Sequence, residues 1–278
     1  MRIEKRWAPT PEEAQGFDTE ALRKAFLVEN LFRAGEIAIV ATHLDRLIVG
    51  GAVPDGTPLT LTAAAPTGTP GFLDRREMAV VNIGAAGGVT VGGTRHPLAH
   101  RDVIYIGMGA GPVTFDSDEG AAPARFYFVS APAHTAHPTV AIPQASAKRV
   151  DLGTPETSNQ RSIFQFVHPA VCKSCQLVFG YTALATGSVW NTMPAHVHDR
   201  RSEAYLYFAL PEAARVFHFM GEPDETRHLV LKNEEGALSP GWSIHCGAGT
   251  ANYTFVWAMA GDNVDYTDVD PVAMESLR

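Results

Sequence analysis

Four residues of types that bind divalent cations fall in one short pattern: His196, His198, Glu203 and, after a gap, His245. On a β-strand, residues two apart point to the same face, so His196 and His198 would project together. Asp199-Arg200-Arg201-Ser202 is polar enough to turn the chain. Glu203 then opens the apolar run 204–208, which reads as the hairpin partner of the histidine strand. His245 follows Pro240-Gly241, a bend leading into a further strand. Two imidazoles from one strand, a carboxylate from its partner and a third imidazole from a distant strand can converge on one cation. A lone histidine is more simply read as a solvated or hydrogen-bonded loop residue, but this order and spacing of four is a different matter.

The pattern resembles the metal site of the cupin family, whose two motifs read G-x5-H-x-H-x3,4-E-x6-G and G-x5-P-x-G-x2-H. Pro240 lies five residues before His245, as the second motif requires, while Gly241 sits one place early. The leading glycine of the first motif falls near Trp190, and its trailing glycine gives way to Leu210-Pro211-Glu212. None of these departures touches a ligand position.

The rest of the chain fits a β-rich globular protein. Its 278 residues, 45% hydrophobic and 19% charged, are enough to bury one or two cores. The net charge of −8 and the absence of any basic cluster beyond Arg75-Arg76 and Arg200-Arg201 argue against nucleic acid or an anionic membrane as partner. No signal-type apolar core follows Met1, and no apolar run approaches a membrane span. With three cysteines, this leads us to expect a cytoplasmic protein. Cys172 and Cys175 form a C-x-x-C, but no further ligands or thioredoxin-like setting accompany it, so both read as ordinary thiols. Cys246, adjacent to His245, would face the other side of its strand.

Thr10-Pro11-Glu12-Glu13 reads as a capping box with proline at the first helical position, and 19–26 as a second short helix. From about residue 35, short apolar runs divided by Gly, Pro, Asn and Asp predict strands at 37–41, 46–49, 78–83, 89–91, 103–106, 125–129, 216–220, 228–231 and 253–259. The stretch 131–159, rich in Pro, Ala, Thr and Ser, reads as a connector between two halves. The halves look related: Asp74-Arg75-Arg76-Glu77 matches Asp199-Arg200-Arg201-Ser202-Glu203, and 100–107 is aligned with 240–247. The expectation is an all-β bicupin: two jelly-roll (double-stranded β-helix) barrels, at 36–145 and 146–278, behind a helical extension at 1–35. At the places of His196, His198 and His245 this alignment puts Gly71, Leu73 and Tyr105 in the first half, with only Glu77 as acid. The first barrel should then hold no transition metal, giving one ion per chain. Because Asp-Arg-Arg recurs without the ligands, Arg75, Arg76, Arg200 and Arg201 are expected to serve the turn.

The likeness is closer than fold. Phe72-Leu73-Asp74-Arg75-Arg76-Glu77, Val81-Asn82-Ile83-Gly84, Ala131-Pro132-Ala133-His134-Thr135, Trp190-Asn191-Thr192-Met193-Pro194, Glu225-Thr226-Arg227-His228 and Trp242-Ser243-Ile244-His245 resemble the 5-dehydro-4-deoxy-D-glucuronate isomerase family, from about residue 20 to 278. The resemblance implies a ketol-isomerase of pectin and glycosaminoglycan breakdown that forms 3-deoxy-D-glycero-2,5-hexodiulosonate. It also implies Zn2+ held by His196, His198, Glu203 and His245, and a homo-oligomer, a hexamer.

Such chemistry suits the ligands. Moving hydrogen between adjacent carbons, through an enediol or as hydride, builds negative charge on oxygen, which a Lewis acid stabilises. Glu203, Tyr205 and Tyr207 share one strand parity and are candidate catalytic groups, with core packing as the alternative for the tyrosines. Arg161 and Arg227 are candidates for binding the substrate carboxylate, a surface role being the alternative for each. His134 and His137, in the connector, read as solvated. The 5-deoxy-glucuronate isomerase of inositol catabolism, an iron cupin dioxygenase and a non-catalytic sugar-acid binding cupin are the competing functions.

Overall fold

The computed structural model describes residues 1–118, 122–262 and 266–278. The chain divides into two compact units, one of 1–5, 30–148 and 165–179, the other of 6–29, 149–164 and 180–278. Each is built from a seven-stranded and a four-stranded antiparallel sheet, the two-sheet jelly roll expected of a cupin barrel.

In the first unit the large sheet runs, edge to edge, Arg2–Arg6, Glu36–Thr42, Ile48–Val53, Phe126–Pro132, Arg76–Asn82, Val103–Ile106 and Val140–Ile142. The smaller sheet runs Leu59–Leu61, Val113–Ser117, Gly87–Val91 and Thr94–Leu98. The second unit repeats the order. Its large sheet is Lys148–Leu152, Arg161–Val167, Val178–Leu184, Thr254–Gly261, Arg201–Phe208, Glu235–Ser239 and Leu27–Val28. Its smaller sheet is Trp190–Asn191, Cys246–Gly249, Val216–Glu222 and Glu225–Leu231. One packing device also recurs. Phe128 needs the bare face of Gly50, where an added Cβ would lie 2.2 Å from its ring, and Trp257 needs Gly180, where the distance would be 2.3 Å.

The strand runs read from the sequence all lie in or overlap observed strands, and both helices form. Thr10 caps Pro11–Gln15 with its hydroxyl accepting from the Glu13 N–H, and the Glu13 carboxylate accepts from the Thr10 N–H. Asp18 caps Thr19–Phe26. Four features differ from expectation. The strand His196–Val197 pairs with Asp270–Pro271, not as a hairpin with Arg201–Phe208, whose neighbours are Glu235–Ser239 and Thr254–Gly261. Residues 1–35 are not a separate extension, because Arg2–Arg6 and Leu27–Val28 are edge strands of the two large sheets. Residues 165–179 group with the first unit rather than the second. The connector carries structure too: Val140–Ile142 pairs with Val103–Ile106, and Lys148–Leu152 is an edge strand, where proline-flanked segments are tolerated.

Register fixes which residues of the repeat correspond. Met78 pairs with Ser130 and Ile106, and Glu203 pairs with Met259 and Ser239, each two residues into its strand after the shared arginine. Glu203 therefore corresponds to Met78, not Glu77. Likewise Val103–Ile106 takes the sheet place of Glu235–Ser239, so Tyr105 is not the counterpart of His245. The strand after His245, Cys246–Gly249, corresponds to Val113–Ser117, which Gly111-Pro112 precedes.

That one-residue offset decides the fate of Glu77. A shift of one along a strand turns a side chain to the opposite face. Met78 and Val80 enter the first barrel's core with Ile104, Ile106, Phe115 and Phe128. Glu77 points the other way and is fully buried. Its carboxylate accepts from Tyr105 Oη at 2.6 Å and from the backbone N–H groups of Cys175, Gln176 and Leu177 at 2.7, 2.9 and 2.8 Å. The acid organises the loop that holds the C-x-x-C motif. Burial and Glu77 together push the Tyr105 phenol far above its usual range.

Candidate metal centre and substrate cavity

The inward-facing residues of the second barrel are polar where those of the first are apolar. Glu203 sits third in the strand Arg201–Phe208, held on both sides by Ser239 and Met259. His196 lies on the two-residue strand His196–Val197, paired among the described residues with Asp270–Pro271. His198 follows it, its N–H donating to the Gly241 carbonyl at 3.3 Å. His245 leaves a turn closed by Ser243 N–H to Pro240 O, 3.0 Å, and enters the strand Cys246–Gly249.

These elements bring the four predicted ligands together. His245 Nε2 lies 3.0 Å from His196 Nε2 and 3.2 Å from a Glu203 carboxylate oxygen. The same oxygen is 3.1 Å from His198 Nε2. His198 Nδ1 donates to the Arg201 carbonyl at 3.1 Å, and His245 Nδ1 faces Ser239 Oγ and the Ser243 carbonyl at 3.2 and 3.3 Å. A carbonyl can only accept, so each Nδ1 carries the proton and each Nε2 turns a lone pair inward. Outer hydrogen bonds of this kind orient metal-ligating histidines. Among the described residues, His196, His198 and His245 are the one group of three or more His, Cys, Asp or Glu whose ligand atoms lie within 4.8 Å of one another.

Electrostatics point the same way. Burial lowers His196 to about 4 and keeps His245 well below its ordinary value, so both are neutral at pH 7. Burial alone would raise Glu203, but the facing imidazoles of His245, His198 and His196 outweigh it and bring the carboxyl down to about 2. Three imidazole nitrogens and one carboxylate oxygen suit Zn2+ and other borderline divalent ions.

Beside the cluster is a cavity of about 400 Å³, into which His196, Glu203, Tyr205, Arg161, Arg201 and Thr192 project. Tyr205 stacks on Phe255, with ring centroids 5.4 Å apart, and lines the cavity together with Thr192. Burial raises its phenol well above 10, so it stays protonated. Arg161 reaches the cavity from the start of its strand while donating to the Asn159 carbonyl at 2.9 Å. Of the remaining candidates, Tyr207 lies deeper than the cavity wall, its hydroxyl 2.7 Å from His218 Nδ1. Arg227 is not brought to the site. It bonds Glu225 at 2.6 Å and the Gln15 carbonyl at 2.8 Å, beside the helix Pro11–Gln15.

Sequence reasoning missed Arg201, Thr192 and the wall formed by Tyr266, Thr267 and Val269. Arg76 bonds acceptors outside its own turn, donating to Arg46 O, Ser130 O and Ser130 Oγ at 2.7, 2.8 and 3.0 Å and so tying its strand to Phe126–Pro132 and to the chain before Ile48–Val53. Its counterpart Arg201 bonds the Tyr266 carbonyl at 3.2 Å and also lines the cavity. The cysteines behave as expected of thiols: Cys172 Sγ donates to Phe166 O, and burial pushes Cys246 up to about 12.

Fold and site define a bicupin whose candidate metal centre, among the described residues, lies in its second barrel. More specifically, residues 26–273 match the KduI/IolB family, and the chain belongs to it. A protein of Cereibacter sphaeroides named 4-deoxy-L-threo-5-hexosulose-uronate ketol-isomerase is 64% identical over 276 residues, covering 99% of both chains. One of the same name from Halalkalibacterium halodurans is 51% identical over 276 residues, 99% of this chain and 100% of its own. Among solved structures, an IolB-like protein from Salmonella typhimurium shares the fold with a TM-score of 0.67 at 15% identity, over 81% of this chain and 87% of its own. Oxalate decarboxylase of Bacillus subtilis does so with a TM-score of 0.55 at 13% identity, over 81% and 71%.

Proposed function

We propose that the protein is a ketol-isomerase that converts 5-dehydro-4-deoxy-D-glucuronate to 3-deoxy-D-glycero-2,5-hexodiulosonate, using one Zn2+ per chain. The observation that carries this reading is the convergence of His196, His198, His245 and Glu203 beside a cavity that also holds Arg161. The high identity to relatives named for this reaction supports it. The same relatives favour this substrate over the 5-deoxy-glucuronate of inositol catabolism, and an isomerase over a dioxygenase or a binding cupin. The family resemblance adds a role in pectin-derived uronate breakdown and a hexameric homo-oligomer, and the few cysteines and lack of a long apolar run fit a cytoplasmic setting.

A zinc ion held by the four ligands would polarise the substrate carbonyl as a Lewis acid. The protein's own groups divide the remaining work. Arg161 meets the substrate carboxylate, fixing which carbons face the histidines. Tyr205, protonated and stacked on Phe255, offers its hydroxyl proton to the oxygen on which charge develops. Glu203, anionic and lining the cavity, is the candidate to move a proton between the reacting carbons, a role that requires its bond to the ion to be labile. Tyr207 supports the floor through His218 rather than touching substrate.

The test is to incubate purified protein with the 4-deoxy-5-keto uronate while following product by NMR and oxygen by electrode. We expect an isomer of equal mass, no oxygen uptake and about one zinc per chain by elemental analysis. Oxygen consumption would favour a dioxygenase, and unchanged substrate a binding protein.

A further inference from the structure

The four ligands are not equally anchored. Glu203 lies between two long strands, and His245 and His198 have carbonyl partners within their own barrel. His196 depends on a segment far along the chain. Among the described residues, the strand His196–Val197 has one partner, Asp270–Pro271, with His196 opposite Pro271. Just outside it, Val272 N–H donates to the Ala195 carbonyl at 3.0 Å.

That segment is itself fastened at several points. Val272 is buried in a small apolar cluster with Ala195, Ile244 and Cys246, against which Val197 and Leu277 pack. Ile244 and Cys246 flank His245, so the cluster joins both histidine-bearing segments to the strap. Asp268 pairs with Arg200, the Pro223 carbonyl accepts from Arg278 N–H at 3.1 Å, and Arg278 O accepts from Thr226 N–H at 3.0 Å. Between these fastenings, Tyr266, Thr267 and Val269 face the cavity.

We propose that residues 266–278 form a positioning strap, which holds His196 in register with the other ligands while supplying a wall of the substrate cavity. The proposal rests on the metal-centre reading above. A residue such as Leu277 touches neither ion nor substrate; it acts through the Val272 cluster and the backbone pairing at Ala195 and His196. Ion retention and substrate fit are thereby tied to one segment, so loosening the strap degrades both.

The experiment uses the full-length protein with Zn2+ or Co2+ as the only added ion. Wild type is compared with Leu277→Ser, Val272→Ser, Val272→Ile and His196→Ala. Ion affinity is read by chelator competition, ligand geometry by the Co2+ absorption spectrum, and fold by melting of the metal-free form. We expect Leu277→Ser, at a half-buried site, to melt close to wild type when metal-free. Its ion affinity should fall about 10- to 100-fold, the scale of outer-shell changes at metal sites. Its Co2+ spectrum should move toward that of His196→Ala, as should that of Val272→Ser, while Val272→Ile keeps the wild-type spectrum. If Val272→Ser fails to fold, Leu277→Ser decides alone. Wild-type affinity and spectrum in the serine variants overturn the strap but leave the metal centre standing. A wild-type protein that takes up neither ion overturns both.

Discussion

The two barrels share strand order, a paired glycine and aromatic ring, and an arginine-bearing turn, yet their interiors differ in kind. The first fills its interior with Met78, Val80, Ile104, Ile106, Phe115 and Phe128. At its mouth a cavity of about 480 Å³ is lined by Gly71, Leu73, Gly111 and Pro112, where the second barrel carries or leads up to its histidines. In the second barrel the strand matching Arg76–Asn82 presents Glu203, Tyr205 and Tyr207 inward, with His218 and Asn191 buried beside them. The architecture tolerates either lining, because the backbone hydrogen bonds of the sheets are the same whichever side chains point in. The polar lining is only partly satisfied. The Tyr207 hydroxyl meets His218 Nδ1 and Asn191 Nδ2 donates to Tyr253 Oη, while His218 Nε2 and Asn191 Oδ1 are buried without a hydrogen-bond partner.

This contrast can be broken most directly at the ligands. His245→Ala should abolish turnover and weaken ion binding, whereas Pro112→Ala in the first barrel should change neither, as measured by chelator competition and steady-state kinetics. Two ions per chain, the second surviving in a His196→Ala/His198→Ala variant, would show that the first barrel is not inert. At Glu77 the roles reverse. Glu77→Ala strands a buried phenol and three backbone N–H groups, and we expect a loss on the order of 4 kcal/mol in denaturant unfolding with zinc content unchanged.

A third comparison sharpens the assignment within the second barrel. Arg161→Met should lower kcat/KM by about 2–5 kcal/mol, the scale of a desolvated charge pair, at constant metal content. Arg227→Met, whose guanidinium is engaged by Glu225 and Gln15, should leave kinetics near wild type. Equal losses in both variants would move the carboxylate site.

The smallest effect concerns acid. Burial holds His218 at about 4, below the ordinary value of 6.5. The unfolded chain therefore takes up the proton first as pH falls. The stability tied to neutral His218 is present above 6.5 and lost between 6.5 and 4, by about 3 kcal/mol in full. No buried histidine lines the first barrel among the described residues. His218→Asn should flatten the unfolding free energy across this window, and an unchanged slope would remove His218 as the source.

Much of this was legible in the sequence because it was local. A capping box spans four residues, and strand boundaries are marked by Gly, Pro and Asn. The ligand set could be read from residue type, order and spacing, although the hairpin expected to present it does not form: His198 lies beyond the strand His196–Val197, which pairs with Asp270–Pro271 rather than with Arg201–Phe208. Parity was the harder matter. Glu77 and Glu203 look equivalent after their arginines, and only the ladder register reveals that one faces inward and the other outward. Tyr105 was misaligned for a related reason, since Val103–Ile106 and the segment before His245 have similar hydrophobic patterns but different sheet positions. Arg227 looked as eligible as Arg161, since nothing nearby announces the Gln15 carbonyl that engages it. Arg201 and the 266–272 wall went unseen because their part in the cavity depends on contacts between segments far apart in sequence.

The short pairing that carries His196 has a consequence for rates. A two-residue ladder opens more readily than the long strands that hold Glu203, and native-state opening of such elements needs far less energy than global unfolding. Ion exchange should then begin with His196 letting go while Glu203, His198 and His245 keep their hold. The off-rate would track fraying of that ladder rather than the melting of the barrel, so two variants with equal thermal stability could retain their ion for very different times.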